Sequence, residues 1–197
     1  MKPLVTNEAP DFTATAVMPD NTFNEEFKLS AMRGKYVLLF FYPLNFTFVC
    51  PSEILAFNEA VGTFKEKNCE IVGISIDSHF SHLAWKNTPI NDGGIGNIQF
   101  PLVADLDKSI SVNYGVLLDV GIALRGLYLL DKEGVIRHQV VNDLPLGRNV
   151  DEALRTLDAL QFTEEHGDVC PANWKKGDDA MEPTAEGVAR YLSKHNA

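Results

Sequence analysis

YVLLFFYPLNFTFVCPSE, residues 36–53, joins an uninterrupted apolar run to a cysteine that is followed by a proline. The run from Tyr36 to Tyr42 is typical of a strand that is covered on both faces of its sheet. After Cys50 the apolar residues recur at helical spacing, and Pro51 suits the first turn of a helix, where its missing N–H costs nothing. The stretch therefore predicts a strand, a turn and a helix that begins at Cys50.

A cysteine at the start of a helix lies where free backbone N–H groups and the positive end of the helix dipole favour a thiolate over a thiol. The chain has three cysteines, and a second one, Cys170, also precedes a proline. The third, Cys69, opens an apolar strand and is interpreted as a small hydrophobic core residue. In a reducing cytoplasm a pair of special cysteines is more often catalytic or metal-binding than structural. We therefore predict thiol redox chemistry and a cytoplasmic location.

Composition excludes several other classes of function. A formal net charge of −10 argues against a nucleic-acid partner, because nothing in the chain would neutralise a phosphate backbone. No window approaches the roughly 18 apolar residues of a membrane span, and the first residues lack the apolar region of a secretory signal. The five histidines show no metal-ligand spacing with cysteines or carboxylates, so we expect no metal and no other cofactor.

The pattern along the chain alternates strands and helices. Residues 7–26 are interpreted as a loop with short strand pieces. The predicted strands cover 35–42, 70–76, 102–103, 127–130 and 135–141, the last two as a hairpin, and the predicted helices cover 51–64, 78–87, 149–160 and 185–193. After Phe162 the composition becomes polar. We predict a three-layer α/β/α sandwich with a mixed sheet over residues 1–162, and a C-terminal arm over residues 163–197 that carries Cys170.

A strand, a turn and a helix that starts with cysteine form the thioredoxin arrangement, but the first cysteine of a CxxC motif is missing here. Thr47 takes its place, in a TxxC spacing. The oxidised Cys50 sulfur must then find its partner elsewhere in the protein. The Thr47 hydroxyl remains available to hydrogen-bond the thiolate or an oxygen bound beside it.

With these motifs the chain resembles the typical two-cysteine peroxiredoxins, of the bacterial alkyl hydroperoxide reductase C or thioredoxin peroxidase type. The resemblance runs in the family's order over nearly the whole chain. The matching stretches are FFYP (40–43), FTFVCPSE (46–53), GGIG (93–96), LRG (124–126), DLPLGR (143–148) and VCPANW (169–174).

The resemblance implies a role for each candidate site residue. Cys50 would be the peroxidatic cysteine and Cys170 the resolving cysteine. The remaining residues of the expected peroxide site are Pro43, Thr47 and Arg125. Two supporting residues, Glu53 and Arg148, either form an ion pair that orients the arginine or are separate solvated charges.

The resemblance also implies the reaction and the partners. We expect a thiol-dependent peroxidase that reduces hydrogen peroxide and organic hydroperoxides through a Cys50 sulfenic acid and a Cys50–Cys170 disulfide. An external dithiol protein, either thioredoxin or a dedicated flavoprotein disulfide reductase, would then reduce that disulfide. In such proteins the resolving cysteine usually comes from the partner subunit of an antiparallel homodimer, and five dimers often form a decamer. Two alternatives remain open, a peroxide sensor or relay and an oligomeric holdase chaperone.

Overall fold

The computed structural model describes residues 3–195, which divide into two compact units at Arg148/Asn149. The boundary predicted from composition, at residue 162/163, lies inside the helix Val150–His166. The two compact units meet 14 residues earlier in the chain. No helix within the described residues is both long enough and apolar enough to cross a membrane.

The first unit contains a seven-stranded mixed sheet in the order β2-β1-β5-β4-β3-β6-β7. The strands are β1 (Thr13–Val17), β2 (Phe23–Lys28), β3 (Tyr36–Phe41), β4 (Cys69–Ser75), β5 (Leu102–Ala104), β6 (Arg125–Leu130) and β7 (Ile136–Asn142). β3, β4 and β5 are parallel neighbours, whereas β6 and β7 form an antiparallel hairpin beside β3. The central strand β3 is buried along its whole length, as its apolar run predicts.

Helices cover both faces of this sheet. They are α1 (Cys50–Glu59), α2 (Val61–Glu66), α3 (His79–Asn87) and α4 (Ser109–Asn113). Successive side chains of β3 point to opposite faces. On one face Phe40 stacks on Phe57 of α1 with ring centroids 4.8 Å apart, and on the other Phe41 packs 5.1 Å from Tyr114, which follows α4. The predicted three-layer α/β/α sandwich is confirmed.

Two local predictions were incomplete, and one short helix was not predicted. The single helix predicted over residues 51–64 is two helices, because the chain leaves α1 at Ala60 before α2 begins. Residues 7–26 were interpreted mainly as loop, yet they contain β1 and the start of β2, which form an antiparallel hairpin. The short helix α4 carries too few periodic residues to be recognised in the sequence.

The second unit begins with α5 (Val150–His166) and ends with α6 (Ala185–His195). The side chain of Asn149 accepts a hydrogen bond from the backbone N–H of Glu152 at 3.1 Å, as the capping pattern predicts. Between the helices the chain is irregular and is organised around Trp174. This side chain is buried, packs on Phe162 with ring centroids 5.0 Å apart, and donates to the Asp178 carbonyl.

Candidate active site

Cys50 lies where the central strand gives way to the first helix. β3 ends at Phe41, an irregular segment follows, and Cys50 is the first residue of α1. Phe46 adopts a left-handed backbone conformation with φ of 54°, which bends this segment so that residue 47 returns towards the helix start. The Cys50 side chain is fully buried within the first unit. Its sulfur is therefore held in a defined position beside the helix N-terminus.

Two side chains present hydrogen-bond donors to this sulfur. Thr47 Oγ1 lies 2.9 Å from Cys50 Sγ, and Arg125 Nη1 lies 3.5 Å from it. The Thr47 hydroxyl also lies 2.9 Å from the Leu44 carbonyl oxygen. Since a hydroxyl carries one proton, Thr47 donates either to the sulfur or to that carbonyl at any moment. Arg125 supplies a permanent positive charge beside the sulfur.

Arg125 begins β6, and its guanidinium is held from two further directions. Nε donates to the Leu144 carbonyl at 2.7 Å, and Nη1 forms a 2.6 Å ion pair with Glu53 Oε2. Both side chains of this pair are buried, at 4% and 3% exposure, so water does not compete for the contact. The guanidinium therefore has one orientation relative to Cys50.

Arg148 completes this arrangement from the end of the first unit. Its Nε and Nη2 donate to the two oxygens of Glu53 at 2.8 and 2.9 Å, and its Nη1 donates to the carbonyls of Phe41 and Gly126 at 2.8 and 2.6 Å. Of the two alternatives for Glu53 and Arg148, the structure shows the ion pair that orients Arg125.

The charge state of Glu53 follows from these contacts. Burial alone would raise the pKa of the Glu53 carboxyl, but the hydrogen bonds and charge of Arg148, together with the charge of Arg125, hold it below its ordinary value. The carboxylate is thus ionised at neutral pH and keeps both guanidinium groups in place. A buried charge of this kind is tolerated because each of its oxygens has a charged donor.

The other predicted residues lie in separate places. Pro43 is buried and opens the segment that leads to Cys50, and its predicted role of shielding the sulfur from water stays a prediction. Cys170 belongs to the second unit, where it is partly buried against α5, with its Sγ 3.7 Å from the Ala159 carbonyl oxygen. Cys69 opens β4, and burial raises the pKa of its thiol to about 12, which supports its interpretation as an inert core residue.

Sequence reasoning missed the polar cluster that holds the segment before Cys50. Asn45 is buried and contacts Tyr42 and His82, which are both fully buried. The available signal was Asn45 itself, a carboxamide within a largely apolar stretch. The histidines had been considered only as metal ligands, and a hydrogen-bonding role for one of them leaves no spacing pattern in the sequence.

The model of the AhpC/TSA family matches residues 5–139 of the chain, and the model described as the C-terminal domain of 1-Cys peroxiredoxin matches residues 159–194. This chain belongs to the peroxiredoxin family. The second matched segment of this chain contains Cys170, although the model that matches it is described for peroxiredoxins with one cysteine.

Individual relatives agree with this assignment. The peroxiredoxin is 58% identical to peroxiredoxin-2 of Mus musculus over 189 residues, which cover 95% of this chain and 94% of the mouse protein. It is 56% identical to alkyl hydroperoxide reductase C of Helicobacter pylori over 194 residues, or 98% of each chain.

Among solved structures, the reduced 2-Cys peroxiredoxin of Plasmodium vivax superposes with a TM-score of 0.95 at 54% identity, covering 98% of this chain and 100% of that one. The peroxiredoxin thus has the thioredoxin-like fold predicted from its sequence. It is an enzyme that reduces peroxides with a thiol, and it requires a redox partner to restore that thiol.

Proposed function

We propose that Cys50 is the thiol that attacks the peroxide and that Thr47 and Arg125 assist it directly. The observation that carries this proposal is the convergence of the Thr47 hydroxyl and the Arg125 guanidinium on one buried sulfur, at 2.9 and 3.5 Å. Neither Cys69 nor Cys170 has an arginine hydrogen-bonded to its sulfur among the described residues. Cys50 is therefore the candidate whose surroundings suit both a thiolate and a departing oxygen.

In the first step the Cys50 thiolate attacks one oxygen of a hydroperoxide ROOH, and the O–O bond breaks. A sulfenic acid forms on the cysteine, and the other oxygen leaves as RO⁻, which takes up a proton to become water or an alcohol. Sulfur is oxidised by two electrons and the peroxide is reduced by two. Charge moves from sulfur to the leaving oxygen, so donors fixed beside both atoms stabilise the transition state more than the ground state.

In the second step Cys170 is proposed to condense with the sulfenic acid, which forms a disulfide and releases water. A disulfide requires Cα atoms within about 4.4–6.8 Å and an accessible sulfur. Cys50 Sγ is fully buried at the start of α1, so this segment must open before the bond forms. Two thiols of an external protein then reduce the disulfide by exchange. Thioredoxin and a dedicated flavoprotein disulfide reductase are the proposed reductants.

Non-reducing gels after peroxide treatment test this assignment. Wild-type protein should form a band that a dithiol reductant removes, and Cys50→Ser and Cys170→Ser should each fail to form it. A dimer-sized band would place the bond between subunits, as proposed for an antiparallel homodimer. The matched control is Cys69→Ser, which should behave as wild type. A disulfide that persists in Cys50→Ser would overturn the assignment.

The sensor or relay and the holdase chaperone are weaker candidates, because the relatives named above carry peroxidase names. Steady-state peroxide consumption with thioredoxin separates an enzyme from a relay that reacts once. Many turnovers for each Cys50 are expected. Consumption that stops at one equivalent would favour the relay. Protection of a client protein by Cys50→Ser would show a separate holdase activity.

Assembly into dimers and a decamer is supported by exposed aromatic side chains in the first unit. Phe23 and Phe80 are 39% and 66% exposed and pack edge-to-face with ring centroids 5.7 Å apart, and Phe48 is 96% exposed. Exposed apolar groups that contact one another, as Phe23 and Phe80 do, are typical of interaction surfaces. Light scattering should give a mass well above 21.8 kDa, which Phe80→Arg should lower. The cytoplasm remains the proposed compartment.

A further inference from the structure

The segment between β3 and α1 has no regular secondary structure, yet it carries Thr47 to the Cys50 sulfur. Its backbone is anchored near the middle, where the Asn45 N–H donates to Asp77 Oδ2 at 2.9 Å. Asp77 is itself held by the Ser75 hydroxyl at 2.7 Å. Two residues further along, Thr47 makes its 2.9 Å contact with the sulfur. The position of residue 45 thus decides where the Thr47 hydroxyl can lie.

The side chain of Asn45 is enclosed by three polar partners, of which Tyr42 lies in the same segment and the other two lie on α3. Its Oδ1 accepts from the Tyr42 hydroxyl at 3.0 Å, and its Nδ2 lies 2.9 Å from both Ser81 Oγ and His82 Nδ1. An amide nitrogen has two protons and an amide oxygen only accepts. The two amide protons of Asn45 and its amide oxygen therefore each have a partner.

The proton position on His82 follows from the same contacts. Its Nε2 lies 3.2 Å from the Val103 carbonyl oxygen, which accepts but cannot donate, so Nε2 carries the proton. In the neutral ring Nδ1 is then a bare acceptor directed at the Asn45 amide. Protonated His82 would instead point an N–H at that amide. The charged or titratable groups near this ring are Tyr42, Asp77 and His79.

We propose that Asn45 is a positioning residue for the peroxidase reaction. Its hydrogen bonds to Tyr42 and to neutral His82 fix the backbone at residue 45, so that the residues that follow place the Thr47 hydroxyl beside Cys50. The inference rests on the proposed role of Cys50 and adds to it. Asn45 does not touch the reacting atoms, and its effect is transmitted through the backbone of Phe46, the one residue that separates it from Thr47. Misplacement of a catalytic group by about 1 Å lowers rates by about 10²-fold.

The deciding measurement is the second-order rate of Cys50 oxidation by hydrogen peroxide in a single turnover, for folded protein at neutral pH. Asn45→Ala should react about 10²-fold more slowly than wild type. The matched control is Asn58→Ala, which removes a carboxamide from α1 that bonds the Gln99 N–H and not the segment before Cys50. This control should react at the wild-type rate.

A conservative variant separates positioning from general loss of stability. Asn45→Asp keeps the oxygen that accepts from Tyr42, and it presents a carboxylate to His82 Nδ1. A protonated His82 would donate to that carboxylate and restore the hydrogen bond between residues 45 and 82. At mildly acidic pH the variant should therefore recover most of the rate at which wild-type Cys50 is oxidised. NMR should show the His82 ring titrating at higher pH in Asn45→Asp than in wild type.

The outcomes decide between the hypotheses. An Asn45→Ala protein that unfolds cooperatively and reacts at the wild-type rate overturns the proposal. If Asn45→Ala does not fold, Asn45→Asp decides, and a rate with the same pH dependence as wild type together with an unshifted His82 overturns it as well. Wild type and Cys50→Ser are measured alongside. A wild type that leaves peroxide untouched means that the proposed function itself has failed, whatever Asn45 does.

Discussion

At the scale of single residues, Arg125 connects the Glu53–Arg148 ion pair to the Cys50 sulfur. A thiol of ordinary pKa is about 3% ionised at pH 7, so full ionisation raises its reactivity by only about 30-fold. Rate beyond that factor requires donors that stabilise the departing oxygen. One preorganised donor typically contributes about 10²- to 10³-fold. Arg125 Nη1, 3.5 Å from Cys50 Sγ, is the donor that we propose for this role.

Arg125→Ala is therefore expected to slow the peroxide reaction of Cys50 by about 10²- to 10³-fold. The thiolate absorbance of Cys50 in the ultraviolet should change far less than the rate. The fold should persist, because Glu53 keeps its three hydrogen bonds from Arg148. The matched control, Arg137→Ala, removes an arginine on β7 that pairs with Asp131. A rate loss fully accounted for by fewer thiolates would contradict the donor role.

At the scale of elements, the proposed cycle makes two conflicting demands on the first turn of α1. Cys50 begins α1 with its side chain buried, and the proposed peroxide reaction uses this arrangement, whereas the proposed disulfide with a distant cysteine requires an exposed sulfur. The first turn contains Pro51, and Val49 provides no side-chain cap for the helix. A helix end without a side-chain cap opens at lower cost than one with a cap. We infer that this turn is the part of the molecule that unwinds.

Amide hydrogen exchange should detect that change. The amides of residues 53–57, the first of which donates to the Val49 carbonyl, are expected to be protected in the reduced protein and to exchange faster in the oxidised protein. Protection in β3 should be the same in both states, because this strand is buried and bonded on both sides. Cys170→Ser, which cannot form the proposed disulfide, serves as the control. Equal exchange of residues 53–57 in reduced and oxidised wild type would contradict the unwinding.

The elements also show how much of the fold could be predicted from the sequence. β3 and α1 carry their period in the apolar residues themselves, so the strand, the turn and Cys50 at the helix start were predicted correctly. The hairpin of β1 and β2 was mostly missed, because only one residue of β2, Phe27, is buried and the strand has no clear alternation. The two arginines are also held by main-chain carbonyls, those of Leu144, Phe41 and Gly126. Because every residue has such a carbonyl, the sequence could not predict which ones bind the arginines.

At the scale of the whole molecule, His82 links the pH of the solution to the stability of the fold. Burial lowers the pKa of His82 from 6.5 to about 4 in the folded protein. In the unfolded chain the imidazole titrates at its ordinary pKa of about 6.5. Between pH 4 and pH 6.5 the imidazole is therefore protonated in the unfolded state but neutral in the folded state. The stability contributed by neutral His82 is complete above about pH 6.5 and is lost as the pH falls towards 4.

This difference corresponds to a loss of about 3 kcal/mol in the free energy of unfolding between pH 7 and pH 4. Urea denaturation at a series of pH values, at fixed protein concentration because self-association shifts the equilibrium, measures it. His82→Gln should be less stable than wild type at pH 7 but should lose less stability on acidification. His166→Gln, which alters an exposed histidine of the second unit, should keep the wild-type dependence. Equal acid sensitivity of wild type and His82→Gln would show that other groups cause the loss. It would also remove the argument that a neutral ring at residue 82 is what holds the segment before Cys50.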